Sequence, residues 1–103
     1  MKEYDIYIPL TYNDGSPIER HKKDRVSELL IRQLQSVTFF PQPNKGTWKV
    51  GHVVYRDKIV IFRVVTSHVR AARRFLKKLK EYLKRELRQK EIFIVEKDAK
   101  VLK

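Results

Sequence analysis

Cysteine is absent from this chain of 103 residues, and glycine occurs only three times. The first absence rules out disulfides and thiolate catalysis and fits a reducing compartment, so a cytoplasmic location is expected. The second fits the lack of any glycine-built phosphate loop. There is no Walker loop, no dinucleotide fingerprint and no Gly-x-Ser-x-Gly elbow, which sets aside a nucleotide-hydrolysing motor and a serine hydrolase. No apolar run approaches the ~20 residues needed to span a bilayer, and Met1-Lys2-Glu3-Tyr4-Asp5 lacks the apolar core of a signal peptide, so no membrane association is predicted. Acidic residues are few, 12 against 24 Lys and Arg. Asp5, Asp14, Asp24 and Asp57 form no ligand-spaced cluster and no His-x-x-x-His pair occurs, so neither a metal site nor a cofactor is predicted. Internal repeats, low-complexity tracts and flexible linkers are also missing.

The excess is positive charge. Net charge is +12 and the pI about 10.1, which draws polyanions toward the surface over a Debye length of about 8 Å at physiological salt. The length suits one domain, residues 1–103, with one core. Much of the charge falls on one predicted helix, residues 67–88. At roughly 100° per residue, Val69, Ala72, Phe75, Leu76, Leu79, Tyr82, Leu83 and Leu87 share one side. Opposite stand Arg70, Arg73, Arg74, Lys77, Lys78, Lys80, Lys84, Arg85 and Arg88, interrupted only by Glu81. The Glu-to-Lys pairing that neutralises an ordinary solvated helix is largely missing, so an anion-binding face is expected.

Hydrophobic period places the other elements. Tyr4, Ile6, Ile8, Leu10 and Tyr12 alternate with Asp5, Tyr7, Pro9 and Thr11 as a first strand, ended by an Asn13-Asp14-Gly15 turn. Ser16-Pro17-Ile18-Glu19 has the layout of a capping box, and Val26, Leu29, Leu30 and Leu34 continue a helix over 17–35. Pro41 and Pro43 are read as breakers. Alternation resumes over 47–55, Arg56-Asp57 is read as a hairpin turn, and 58–66 forms a third strand that is apolar on both faces. Ser67 is expected to cap the cationic helix, and 91–96 is the last strand.

The order β-α-β-β-α-β is the ferredoxin-like arrangement, an antiparallel α+β sheet with strands one and three in the middle and both helices on one face. The doubly apolar third strand calls for a cover on the open face. The expected cover is a second copy in a twofold dimer, with the segment 37–46 as the alternative. Thr11-Tyr12-Asn13-Asp14-Gly15, Val37 through Pro43, Gly46-Thr47-Trp48 and the basic helix leading into Ile92-Phe93-Ile94-Val95 resemble a group of small, largely uncharacterised bacterial proteins with a ferredoxin-like α+β fold. That resemblance implies the fold and carries no chemistry with it.

Three functions follow from these residues. The leading one is a homodimeric binding module for RNA or another phosphate-rich nucleotide ligand. Its contacts are expected from Arg70, Arg73, Arg74, Lys77, Lys80, Lys84 and Arg88, with Trp48 and Lys49. The second is a metal-independent phosphodiesterase, a ribonuclease or a nuclease for cyclic oligoadenylates, in which the RNA 2′-hydroxyl is the nucleophile. His52, Tyr55 and Arg56 would supply acid, base and charge stabilisation. The third is an interaction protein whose basic helix docks on an acidic partner. His21 and His68 are expected on the surface. A base-stacking sheet of the RNA-recognition type, using Tyr7, is disfavoured because 58–63 lacks the glycine and paired aromatics of that motif.

Overall fold

The computed structural model describes the backbone of all 103 residues and the side chains of all but Trp48, Val50 and residues 53–57. Its elements are β1 (Lys2–Pro9), α1 (Arg20–Leu34), β2 (Thr38–Val50), β3 (Val53–Thr66), α2 (Val69–Glu86) and β4 (Ile94–Asp98). The sheet is antiparallel in the order β2-β3-β1-β4, the ferredoxin-like topology expected, with the two most apolar strands in the centre.

Strand alternation sorts the side chains. Tyr4, Ile6 and Ile8 of β1 and Val60, Phe62 and Val64 of β3 point to one face. There they meet Val26 and Leu30 of α1 and Ala72, Leu76, Leu79 and Leu83 of α2 in a single core. Phe62, 1% exposed, sits at its centre with Phe39 stacked on it at 4.7 Å. The apolar stripe expected on the second helix is the stripe that is buried, with Leu87 closing it.

Local boundaries differ from expectation for identifiable reasons. The capping box does not form. Ser16 donates from its amide and hydroxyl to Asp14, Glu19 accepts from Tyr12, and Ile18 N–H pairs back to Leu10 O, so α1 starts at Arg20 without a side-chain cap. Pro41 and Pro43 do not break β2. They lie on an edge strand, at a bulge between Phe40 and Asn44, where a missing N–H costs nothing to the ladder. Arg56-Asp57 is not the hairpin turn: Arg56 pairs with Thr47 and Asp57 with Gly46, and the chain reverses at Gly51-His52. Gly51 has φ 61°, and glycine is favoured at the first position of such two-residue turns. Ser67 is not the cap of α2. His68 holds that position, and its N–H donates to Thr66 Oγ1 at 3.0 Å.

With few glycines available, both helices end on left-handed residues of other types, Gln35 (φ 63°) and Arg88 (φ 52°). At α2, Gln89 N–H reaches Lys84 O and Arg88 N–H reaches Arg85 O, the paired bonds of a Schellman ending.

Residues 46–50 of β2 and 53–57 of β3 pair with each other beyond the reach of β1, whose register with β3 runs from Thr66 down to Ile59 with one further bond from Leu10 N–H to Lys58 O. They form a two-stranded ribbon beyond the four-stranded sheet. No described helix is long and apolar enough to cross a membrane.

Candidate nucleic-acid interface

The cations of α2 divide into two sets that the sequence does not distinguish. Arg70, Arg74, Lys77, Lys78 and Arg85 are exposed and make no ion pair with any described residue. From Arg70 to Arg85 they follow the helix for about 22 Å at 1.5 Å per residue. The others are held. Arg73 grips Glu96 through Nε at 2.7 Å and Nη2 at 2.8 Å. Lys80 pairs with Glu91 at 2.8 Å and Lys84 with Glu81 at 3.7 Å. Arg88 lies over the Tyr12 ring at 5.1 Å. Expectation therefore needs correction on this point: β4 and the segment before it return carboxylates to the flank of α2, and among the described residues the outermost row, with Arg88 beyond the helix end, is left without a carboxylate partner.

Between α2 and β4 runs an open groove of about 470 Å³ lined by Tyr4, Arg73, Leu76, Lys77, Lys80, Ile94 and Glu96. Its polar centre is the Glu96 carboxylate, which accepts from Arg73 and from Tyr4 Oη at 2.7 Å. The bonds from Arg73 and then Tyr4 hold Glu96 down at about 2, well below its ordinary 4.5. Burial, then the hydrogen bond to Glu96, pushes the Tyr4 phenol up to about 12. A depressed carboxylate stabilises the fold above its unfolded value and loses that contribution as pH falls, so the Glu96 clasp is intact above about pH 4.5 and released toward pH 2. Lys80 likewise lowers Glu91.

The sheet face away from the helices departs from the uniformly apolar surface expected from β3, because Arg63 interrupts it. Arg63 donates Nε and Nη2 to the two oxygens of Asp5 at 2.8 and 3.0 Å, and the Asp5 side chain is only 3% exposed. Glu3 and Lys97 complete the ionic half, and the Arg63 guanidinium lies 4.8 Å over the Phe40 ring. The other half is apolar: Tyr7, Ile59, Ile61, Phe93 and Val95 line a concavity of about 460 Å³ with residues 44–47 at its rim.

His52 stands exposed at the tip of the ribbon. The side chains of Tyr55, Arg56 and Trp48 lie outside the described residues; in register, Trp48 pairs with Tyr55 and Thr47 with Arg56. Lys49 is exposed on β2, the sheet edge opposite the α2–β4 groove, so the structure does not bring it to the helix cations. His21 and His68 are expected at the surface; His21 is exposed, and His68 is exposed as well. Among the described residues no cluster of His, Asp or Glu is arranged to hold a metal ion.

No protein-family model and no curated protein matches the chain. Solved structures do. The chain is similar to a point mutant of CutA1 from Pyrococcus horikoshii OT3, with TM-score 0.62 and 13% identity over 100% of this chain and 87% of that one. It is also similar to the divalent cation tolerance protein CutA1 from Thermus thermophilus, with TM-score 0.64 and 18% identity over 100% and 88%. A phage SAM lyase in complex with S-methyl-5′-thioadenosine aligns with TM-score 0.65 and 14% identity over 94% and 80%. At these identities the likeness is one of fold.

Glu96 and Tyr4 are the groove residues that the sequence did not single out. Their signal is topological: once β4 lies beside β1 at the edge under α2, Tyr4 and Glu96 face each other in register.

Proposed function

We propose that the protein is a homodimeric binding module for RNA, or another phosphate-rich nucleotide ligand, held by the outer face of α2. The observation that carries this reading is the row Arg70, Arg74, Lys77, Lys78 and Arg85, exposed and without carboxylate partners among the described residues. Such a row costs self-repulsion, and neighbouring cations show that this chain has the means to neutralise a charge where it needs to. Phosphate contacts from a helix face give affinity without base reading, so the module is expected to prefer charge density over sequence. Hydrolysis is the weaker reading because, of its three residues, only the exposed His52 has a described side chain, those of Tyr55 and Arg56 lying outside the described residues.

Binding should weaken steeply with salt. For single strands the slope of log affinity on log salt is about −0.7 per phosphate neutralised, so about four or five contacts predict a slope near −3. A titration by fluorescence anisotropy across salt concentrations reads it; affinity indifferent to salt would move the interface off α2.

The dimer is assigned to the open sheet face, where Phe40 and Phe93 are more than a third exposed beside Tyr7 and Ile61. An isologous contact would cover this apolar half with its own copy. Light scattering at micromolar concentration is expected to give twice the chain mass of 12.4 kDa, and Ile61→Glu to give the monomer. A native chain of single mass would remove the dimer and leave the α2 reading intact.

A further inference from the structure

We infer that the groove between α2 and β4 seats a terminal phosphate monoester, the end of the same strand whose backbone lies along α2; the inference rests on that reading of α2. What carries it is a pair of cations held in place from behind, with a third between them. Arg73 uses Nε and one Nη2 hydrogen on Glu96, to which Tyr4 also donates, so the plane of the guanidinium is fixed. A guanidinium has five N–H donors, and the Arg73 side chain is 52% exposed, so the remaining donors open on solvent. Lys80 is anchored by a single contact, Nζ to Glu91 Oε1 at 2.8 Å. Between them on the helix, Lys77 lines the groove with no carboxylate of its own among the described residues. Side chains already ordered lose little freedom when a ligand arrives.

The ligand class follows from charge and shape. A phosphate monoester carries about −1.5 to −2 at neutral pH and three free oxygens, enough to meet three cations together. An internal phosphodiester has a single charge and two free oxygens. A carboxylate would only duplicate Glu96. Below the cations Leu76 and Ile94 give an apolar floor, and the volume of about 470 Å³ falls inside the range of small-ligand sites, about 300–1,000 Å³, with room for one nucleotide. Lys77 belongs to both surfaces, so a strand lying along α2 reaches the groove without a break. Glu96 is a positioning residue here: it acts on the ligand through Arg73.

Anisotropy on one short single-stranded RNA in three forms, with a 5′-phosphate, with a 3′-phosphate and with hydroxyls at both ends, tests the inference, together with a calorimetric titration of adenosine 5′-monophosphate. One phosphorylated form should bind about tenfold tighter than the hydroxyl form, the effect of one or two charge-assisted bonds. Lys77→Met should weaken all three forms and collapse the ratio between them. Glu96→Gln, which raises the net positive charge, should nevertheless lower the ratio, a result that charge alone cannot give. Three RNAs binding alike with salt-sensitive affinity overturn the groove and leave the α2 reading standing. If no RNA binds, the α2 reading fails and the groove is decided by the nucleotide: saturable binding of adenosine 5′-monophosphate lost in both Lys77→Met and Lys80→Met supports it, and no binding overturns it.

Discussion

Reversing Arg70, Arg74 and Lys78 to glutamate should lower RNA affinity by at least about a hundredfold, since each change removes an attraction and adds a repulsion worth together several kcal/mol across three sites. The salt slope of whatever binding survives should become shallower by about 2, at ~0.7 per lost single-strand contact. Circular dichroism and melting should barely move, because all three side chains are exposed and none has an ion-pair partner among the described residues. The choice of positions matters. Arg73→Glu would set a carboxylate against Glu96 and loosen β4, and Lys84 is engaged with Glu81, so either would confuse loss of binding with loss of fold. Undiminished affinity in the triple variant would place the ligand on another surface.

Arg63→Met should cost about 3–5 kcal/mol, the range for breaking an ion pair so that one charge is left buried. Asp5 is 3% exposed in its side chain and would retain, among the described residues, only Lys97 at 3.8 Å. Urea denaturation at fixed protein concentration reads the loss. It is a large share of the roughly 5–15 kcal/mol typical of a domain and equals a fall in melting temperature of roughly 15 °C or more for a chain of this size. Adding Asp5→Asn should recover much of it, since the orphaned charge is then gone. A loss under about 1 kcal/mol for Arg63→Met alone would mean that water reaches Asp5 and the pair is effectively a surface one.

How far the sequence is legible depends on whether a feature is periodic or relational. The α2 stripe can be read from the sequence because Ala72, Leu76, Leu79 and Leu83 repeat with the helix itself. The centre of the sheet is legible for the same reason: Ile6, Ile8, Val60 and Phe62 alternate. Pro41 and Pro43 mislead because proline breaks a central strand but not an edge, and only the assembled sheet says which strand is the edge. The hairpin is easily misplaced because Arg56-Asp57 looks like a turn by composition, whereas Gly51 supplies the positive φ that the reversal needs. Ser16 and Glu19 are each claimed by another partner, Asp14 and Tyr12. At the candidate site the cations are all visible as residues, but whether each is free is not. Glu91 and Glu96 arrive on the far side of a helix turn and a loop, and neutralisation across that distance has no local pattern.

The placement of β1 also bears on the order in which the molecule is made. β1 is the first element in the chain, yet its hydrogen-bonding neighbours are β3 and β4, so that Lys2 pairs with Thr66 on one side and Asp98 on the other. During synthesis this strand leaves the ribosome before either of its native neighbours exists, and the first strand residue to pair with it, Ile59, lies 50 positions beyond Pro9, about half the length of the chain. Its unpaired interval is therefore set by translation speed, and closure of such long loops is slow compared with the local pairing of β2 with β3. Slowing translation downstream of β1 should prolong the exposure of Ile6 and Ile8, both fully buried in the finished fold.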